Sequence, residues 1–199
     1  VLPQTLAGKK YDGLYKGNKF REYLDQAVPD YHQNIENLRI PFAAVALNLV
    51  EGKPYALTRG NLVYALQASS AVPGLREPVQ IGNQLFVDGG VVNNIPVDVA
   101  RAMGADIVIA VDVDERLRTA PLDSFKAIGS VAKRILTLQL ASSDAVQLQK
   151  ADFVIHPNVD GIGLLSTKPK DAMQALQAGE KSTWDVIPSI KAKFKQLGM

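Results

Sequence analysis

The stretch with the most chemistry in it is Leu85-Phe-Val-Asp-Gly-Gly-Val-Val-Asn-Asn-Ile-Pro-Val-Asp98. Asp88 closes a short apolar run, and a carboxylate at the end of a strand is held by a fixed backbone. Ionised there, it could accept a proton from a nucleophilic hydroxyl as a general base. Gly89 and Gly90 follow it, and without β-carbons they allow another segment or a ligand to approach closely. Asn93 and Asn94 stand near enough to contact this loop. The same residues have a plainer reading, because Asp-Gly between apolar flanks is a common hairpin turn. Spacing alone leaves both open.

Other reactive residues are sparse. The two histidines, His32 and His156, lie in no triad-like context and read as surface or strand-end residues. Ser69 and Ser70 precede Pro73 on an expected helix, and Ser130 sits in a helical pattern, so none reads as a nucleophile. Asp112, Asp114 and Glu115 follow an apolar strand, where α/β proteins often place ligands. A Mg²⁺ site is conceivable there, with a solvated strand end as the ordinary alternative. Gly161-Ile-Gly163 lacks the third glycine of a dinucleotide fingerprint and reads as a loop.

The elements that must position these residues alternate between strand and helix. A helix is expected over Asn18–Val28, ended by Pro29, and a buried strand over Phe42–Leu47. Tyr55–Thr58 pairs with that strand after a turn at Gly52. A helix follows Gly60-Asn61, then a hairpin of Val79–Ile81 and Leu85–Val87 turns at Gly82-Asn83. A helix over Pro96–Met103 leads to Ile107–Val113, whose continuous apolar character predicts a strand covered on both faces. A long helix occupies much of Leu122–Gln149, and Phe153–His156 forms a further strand. The tail is expected to hold two helices, with Trp184, Ile187, Ile190 and Phe194 packing on the core and Pro188 bending the second. A membrane-facing role is the other reading of that stripe. Alternating elements of this kind indicate an α/β protein with a largely parallel sheet.

The bulk numbers exclude several classes. The chain has 199 residues, 22 basic and 20 acidic, for a net charge of +2, and no cysteine. Apolar content of 47% with so small a net charge excludes a disordered chain. A disulfide framework and a cysteine-ligated metal are excluded outright. Nucleic acid is not an expected partner, since the most basic stretch, from Lys181 onward, is the solvated face of a helix. No apolar run approaches the roughly 18 residues of a membrane span. The expected location is cytoplasmic, with peripheral membrane contact left open.

From Leu38 to Val113 the sequence resembles the bacterial patatin-like phospholipases. Leu38-Arg-Ile-Pro-Phe-Ala-Ala-Val-Ala46 is similar to a strand of that family, and Ala68-Ser-Ser-Ala-Val-Pro-Gly74 to its Ala-Ser-x-Ala-x-Pro-Gly element. Val87-Asp-Gly-Gly90 resembles its Asp-Gly-Gly motif. Pro96–Asp106 and Val108–Asp112 resemble the following helix and strand, and Gly163-Leu-Leu and Gly179-Glu180 recur downstream. The resemblance implies a three-layer α/β/α sandwich and hydrolysis of lipid or other carboxylic esters by a Ser-Asp dyad, with no cofactor and no metal. It makes Asp88 the catalytic aspartate, with Gly89 and Gly90 shaping the site.

One departure is plain: no Gly-x-Ser-x-Gly elbow and no glycine-rich oxyanion loop occurs between Val1 and Met199. In that family both would lie upstream of Val1. The expectation is therefore that residues 1–199 form the C-terminal part of a single catalytic domain, incomplete at its N-terminal side. The alternative is a non-catalytic binding or regulatory domain with the same fold and no nucleophile.

Overall fold

A computed structural model of the chain describes residues 11, 13–29, 33–114, 117, 119–163 and 166–198. His32 and Glu115 lie outside these residues, as do the leucines of the Gly163-Leu-Leu element. Contacts divide the chain into two units, Val1–Asn94 and Ile95–Met199.

In the first unit the turns dictate the sheet. Strands β1 (Ala44–Asn48) and β2 (Lys53–Leu57) are joined by a four-residue connection in which Gly52 takes φ 67°. The buried Asn48 side chain closes that connection, its Oδ1 accepting from the Val50 N–H at 3.0 Å and, at 3.4 Å, from the Glu51 N–H. Strands β3 (Val79–Ile81) and β4 (Gln84–Asp88) flank the two-residue turn Gly82-Asn83, with Gly82 at φ 60°. Connections this short can only join antiparallel neighbours. The sheet order is β2-β1-β4-β3 and every pairing is antiparallel. The expected largely parallel sheet is therefore not found in these four strands.

Helix α2 (Leu62–Ser69) lies on this sheet. Asn61 starts it, Oδ1 accepting the Tyr64 N–H at 3.0 Å, which satisfies a donor of the first turn. Ala65 and Ala68 are buried against Ala46 and Phe86, so small side chains bring helix and sheet close. Helix α1 (Asn18–Ala27) buries no residue of its own. It is tied down by cations on rings: Arg76 lies 4.2 Å from the Phe20 ring centroid and Arg21 lies 5.5 Å from that of Tyr64.

The second unit holds a parallel pair, β5 (Ile109–Val111) beside β6 (Phe153–Ile155). Helix α4 (Val97–Ala102) precedes β5, and α5 (Ser130–Leu148) lies in the crossover that a parallel pair requires. The long helix expected within Leu122–Gln149 is α5, which leaves out the first residues of that range. A 3₁₀ turn at Leu122–Phe125 is separated from α5 by Gly129 at φ 82°, a left-handed conformation that ends helical continuity.

Two further expectations are corrected here. Strand β5 is covered on one face only: Val108 and Ala110 are buried with Ile95 and Val97, while Ile109 and Val111 are exposed. The tail forms one helix, α6 (Pro169–Gln196), and not two. Its interior Pro188 is exposed, where a missing N–H and the ring are most easily tolerated.

Asp152 locks the start of the parallel pair. Its Oδ2 accepts from the Val108 N–H at 2.8 Å and from the Arg101 guanidinium, which also donates to the carbonyls of Ala105 and Asp106. These bonds to the ionised form, the Val108 N–H foremost, hold the Asp152 carboxyl below the usual carboxylate range. Its stabilising effect is thus present at neutral pH and is lost as pH falls through its folded-state pKa. Asp152→Asn should lower the free energy of unfolding at pH 7 by about 1 kcal/mol or less, as suits a partly exposed pair. The gap to the wild type should close in acid, read by parallel urea titrations at the two pH values.

Candidate active site

Asp88 ends β4, and four features of the backbone hold it. Its residue pairs with Ala46 across the β1–β4 ladder. Its N–H donates to the Ala71 carbonyl at 3.0 Å, joining it to the Ala68–Gly74 segment. Its Oδ1 accepts from the Gly90 N–H at 2.8 Å. The residue after it, Gly89, lies so close to β1 that a β-carbon there would come within 2.4 Å of the Val45 carbonyl oxygen.

The chain does not turn back as a hairpin after Asp88. Gly89 has φ −69° and ψ −22°, and the backbone runs directly into a one-turn helix, α3 (Gly90–Asn93). The hairpin reading of Asp-Gly is thereby displaced by a strand-to-helix junction. Close approach, the other reading of the two glycines, holds at Gly89. At Gly90 an added β-carbon would lie 3.1 Å from both Asn94 Oδ1 and Asp88 Oδ1, which places Asn94 beside the loop. Asn93 is buried in α3.

Burial raises the Asp88 carboxyl above the usual carboxylate range. The Gly90 N–H and the positive charge of Arg76 act in the opposite direction. Arg76 was not singled out by its sequence. It stands on the connection from α2 to β3, where its Nη1 donates to the Ser70 carbonyl at 3.0 Å and to Ser70 Oγ at 3.2 Å. Only the fold brings this cation, from twelve residues away in the chain, into the field of Asp88.

The remaining candidates do not join this cluster as nucleophiles. Ser70 Oγ donates to the Leu66 carbonyl at 2.8 Å, as a helix-end hydroxyl does, and Ser69 is the last residue of α2. In the other unit, Ser130 Oγ donates to the Ala127 carbonyl at 2.6 Å at the start of α5. Asp112 pairs with His156, Oδ2 to Nδ1 at 2.9 Å, at the ends of β5 and β6. Among the described residues no group of three or more His, Asp or Glu side chains is arranged to hold a metal ion.

Residues 2–101 match the family described as patatin-like phospholipase. The chain belongs to that family. Similarity extends past the matched half, since an NTE family protein of Mycobacterium bovis is 30% identical over 180 residues, covering 78% of this chain and 30% of the relative. A second NTE family protein of the same organism is 39% identical over 80 residues, 40% of this chain and 22% of the relative. The patatin-like phospholipase domain-containing protein 7 of Mus musculus is 33% identical over 108 residues, 53% of this chain and 8% of the relative. The chain thus spans under a third of the length of each of these relatives. Asp88, Gly89 and Gly90 all fall within the matched residues.

The two glycines differ in what surrounds them, and so should their substitutions. Gly89→Ala drives a methyl group into backbone, which can yield only by shifting β1, and should cost about 3 kcal/mol or prevent folding. Gly90→Ala meets two side-chain oxygens that can rotate aside and should cost about 1 kcal/mol. Thermal or urea unfolding of the two variants checks the order, and equal costs would contradict the close approach at Gly89.

Proposed function

We propose that the intact protein hydrolyses carboxylic esters of lipids through a serine acyl-enzyme, with Asp88 as the general base. The observation that carries this reading is the mounting of Asp88: a carboxylate at a strand end, fixed by Ala71, Gly90 and the contact of Gly89 with β1. Membership of a phospholipase family supports a lipid ester as the substrate class. In this reading both units belong to one catalytic domain with a three-layer α/β/α arrangement, and the serine comes from outside residues 1–199.

The chemistry follows from the position of the base. The serine hydroxyl passes its proton to the Asp88 carboxylate as its oxygen attacks the ester carbonyl carbon. The tetrahedral intermediate collapses, the C–O bond to the alcohol breaks, and the alcohol leaves with the proton from Asp88. Water then attacks the acyl-serine with Asp88 again taking the proton; the bond from the acyl carbon to the serine oxygen breaks, that oxygen regains the proton from Asp88, and the fatty acid leaves. Gly90 leaves the space beside Asp88 free of a β-carbon for the serine and the ester, while the corresponding space at Gly89 is filled by the Val45 carbonyl.

Burial of Asp88 has a consequence for both rate and stability. A base must be ionised, so the acidic limb of kcat/KM should lie above the ordinary aspartate range. A folded-state pKa raised above the unfolded value adds stability below the unfolded pKa, about 3.9, that is lost as pH rises through the folded pKa. Asp88→Asn in the full-length protein should therefore lower kcat on a short-chain ester by about 10²–10⁴-fold. Its Tm at pH 7 should equal or exceed that of the wild type, with the advantage vanishing in acid. Turnover surviving the substitution removes Asp88 from the mechanism, and lost turnover with a lowered Tm leaves it a merely structural residue.

A further inference from the structure

Of the stripe expected to pack on the core, Ile187, Ile190 and Phe194 are partly covered and Trp184 is not. None of the residues of α6 is buried, and Trp184 is 62% exposed. Met173 and Leu176 are exposed as well, at 54% and 65%, and Ile187 is partly buried. At 3.6 residues per turn these four fall on one side of the helix. The opposite side is the better covered one and is built from small residues, Ala175, Ala178, Gly179 and Ser182. Part of the apolar surface of the helix thus faces outward, its largest side chain, Trp184, among it.

Charge distinguishes this surface from the other exposed apolar faces of the same unit. On α5, Val131, Ile135, Leu138 and Val146 are exposed at helical spacing with no charged residue among them. On α6, the exposed Lys191 and Lys195 continue the line of Met173, Leu176 and Trp184, and Lys181 stands at its margin. The six lie within an arc of about 140°, over a length of about 33 Å from Met173 to Lys195; the same arc holds the exposed Glu180 and Lys170, so four lysines face one carboxylate. From Lys181 to Gln196 there are four lysines and a single acidic residue, Asp185. Apolar groups that include a tryptophan, flanked by long cationic side chains, are what a helix lying in a lipid interface presents. An uncharged partner face would leave the lysines without a counter-charge, whereas anionic headgroups supply it.

We propose that α6 is a docking surface for an anionic lipid bilayer, lying in the interface plane and not crossing it. No described helix is long and apolar enough to cross a membrane. Trp184, Leu176 and Met173 enter the boundary between headgroups and acyl chains, and Lys181, Lys191 and Lys195 reach lipid phosphates. This assignment rests on α6 alone and stands whether or not Asp88 is a catalytic base.

The single tryptophan of the chain makes the test direct. The full-length protein is titrated with phosphatidylcholine vesicles and with vesicles containing 30% phosphatidylglycerol, following co-sedimentation and the part of the emission that Trp184→Phe removes. The expected result is a blue shift and sedimentation with the anionic vesicles, weakened by salt, and neither with the neutral ones. Lys191→Glu with Lys195→Glu, both exposed, should weaken anionic binding about 25-fold or more, at roughly fivefold per lysine. Far-UV circular dichroism of that variant establishes that it is folded. Trp184→Ala should also weaken sedimentation, which separates insertion from simple charge attraction.

Three outcomes overturn the proposal. One is unchanged Trp184 emission with vesicles of both compositions. Another is equal binding of the wild type and the double lysine variant. The last is emission already blue-shifted without lipid, with a mass in solution above that of one chain, which assigns the face to a second copy.

Discussion

The arrangement around Asp88 depends on the contact between Gly89 and the backbone of β1. A peptide carbonyl, that of Val45, occupies the volume where any other residue would carry a β-carbon. This lets the β4 strand run to its last residue in register with β1 and then turn at once into α3. The Gly90 N–H thereby arrives beneath the Asp88 carboxylate at 2.8 Å. Had the chain needed a longer connection, the carboxylate would stand on a loop and not on a ladder. The glycine thus acts on the site by what it lacks.

That arrangement sets an electrostatic conflict. Covering the end of β4 removes water from Asp88 and favours its neutral form, while the Gly90 N–H and Arg76 favour its charge. Asp152 in the other unit illustrates the contrast: its bonds to Val108 and Arg101 outweigh its slight desolvation, and its pKa falls. Two aspartates in one chain, each anchored by a backbone N–H, are shifted in opposite directions by their degree of burial.

What could be read from residue order was the local part of this. The turns at Gly52 and Gly82-Asn83, the Asn61 start of α2 and the strand leading to Asp88 depend on neighbours in sequence, and they lie where their residue types indicate. Three features were not legible for a common reason. That β1 pairs with β4, that β5 has only one covered face, and that α6 turns Trp184 outward all depend on which segments lie alongside. A continuous apolar run such as Ile107–Val113 reports hydrophobicity and not the number of covering layers. Arg76 escaped notice because a lone arginine in a connection has no pattern. Its role comes from the Ser70 carbonyl and the Phe20 ring, both placed by the fold.

The side chain of Asn48 has a reach well beyond its own turn. By capping the β1–β2 connection it holds the end of β1 in place, and Asn48 is itself the residue opposite Phe86 in the ladder. Two steps back along β1 is Ala46, the partner of Asp88, and next to it Val45, whose carbonyl meets Gly89. A slip of one residue would turn every side chain of β1 to the other face. It would also move a different peptide group against Gly89. A buried amide at the end of β1, forty residues before the aspartate, therefore serves as the alignment stop that sets where the carboxylate comes to rest.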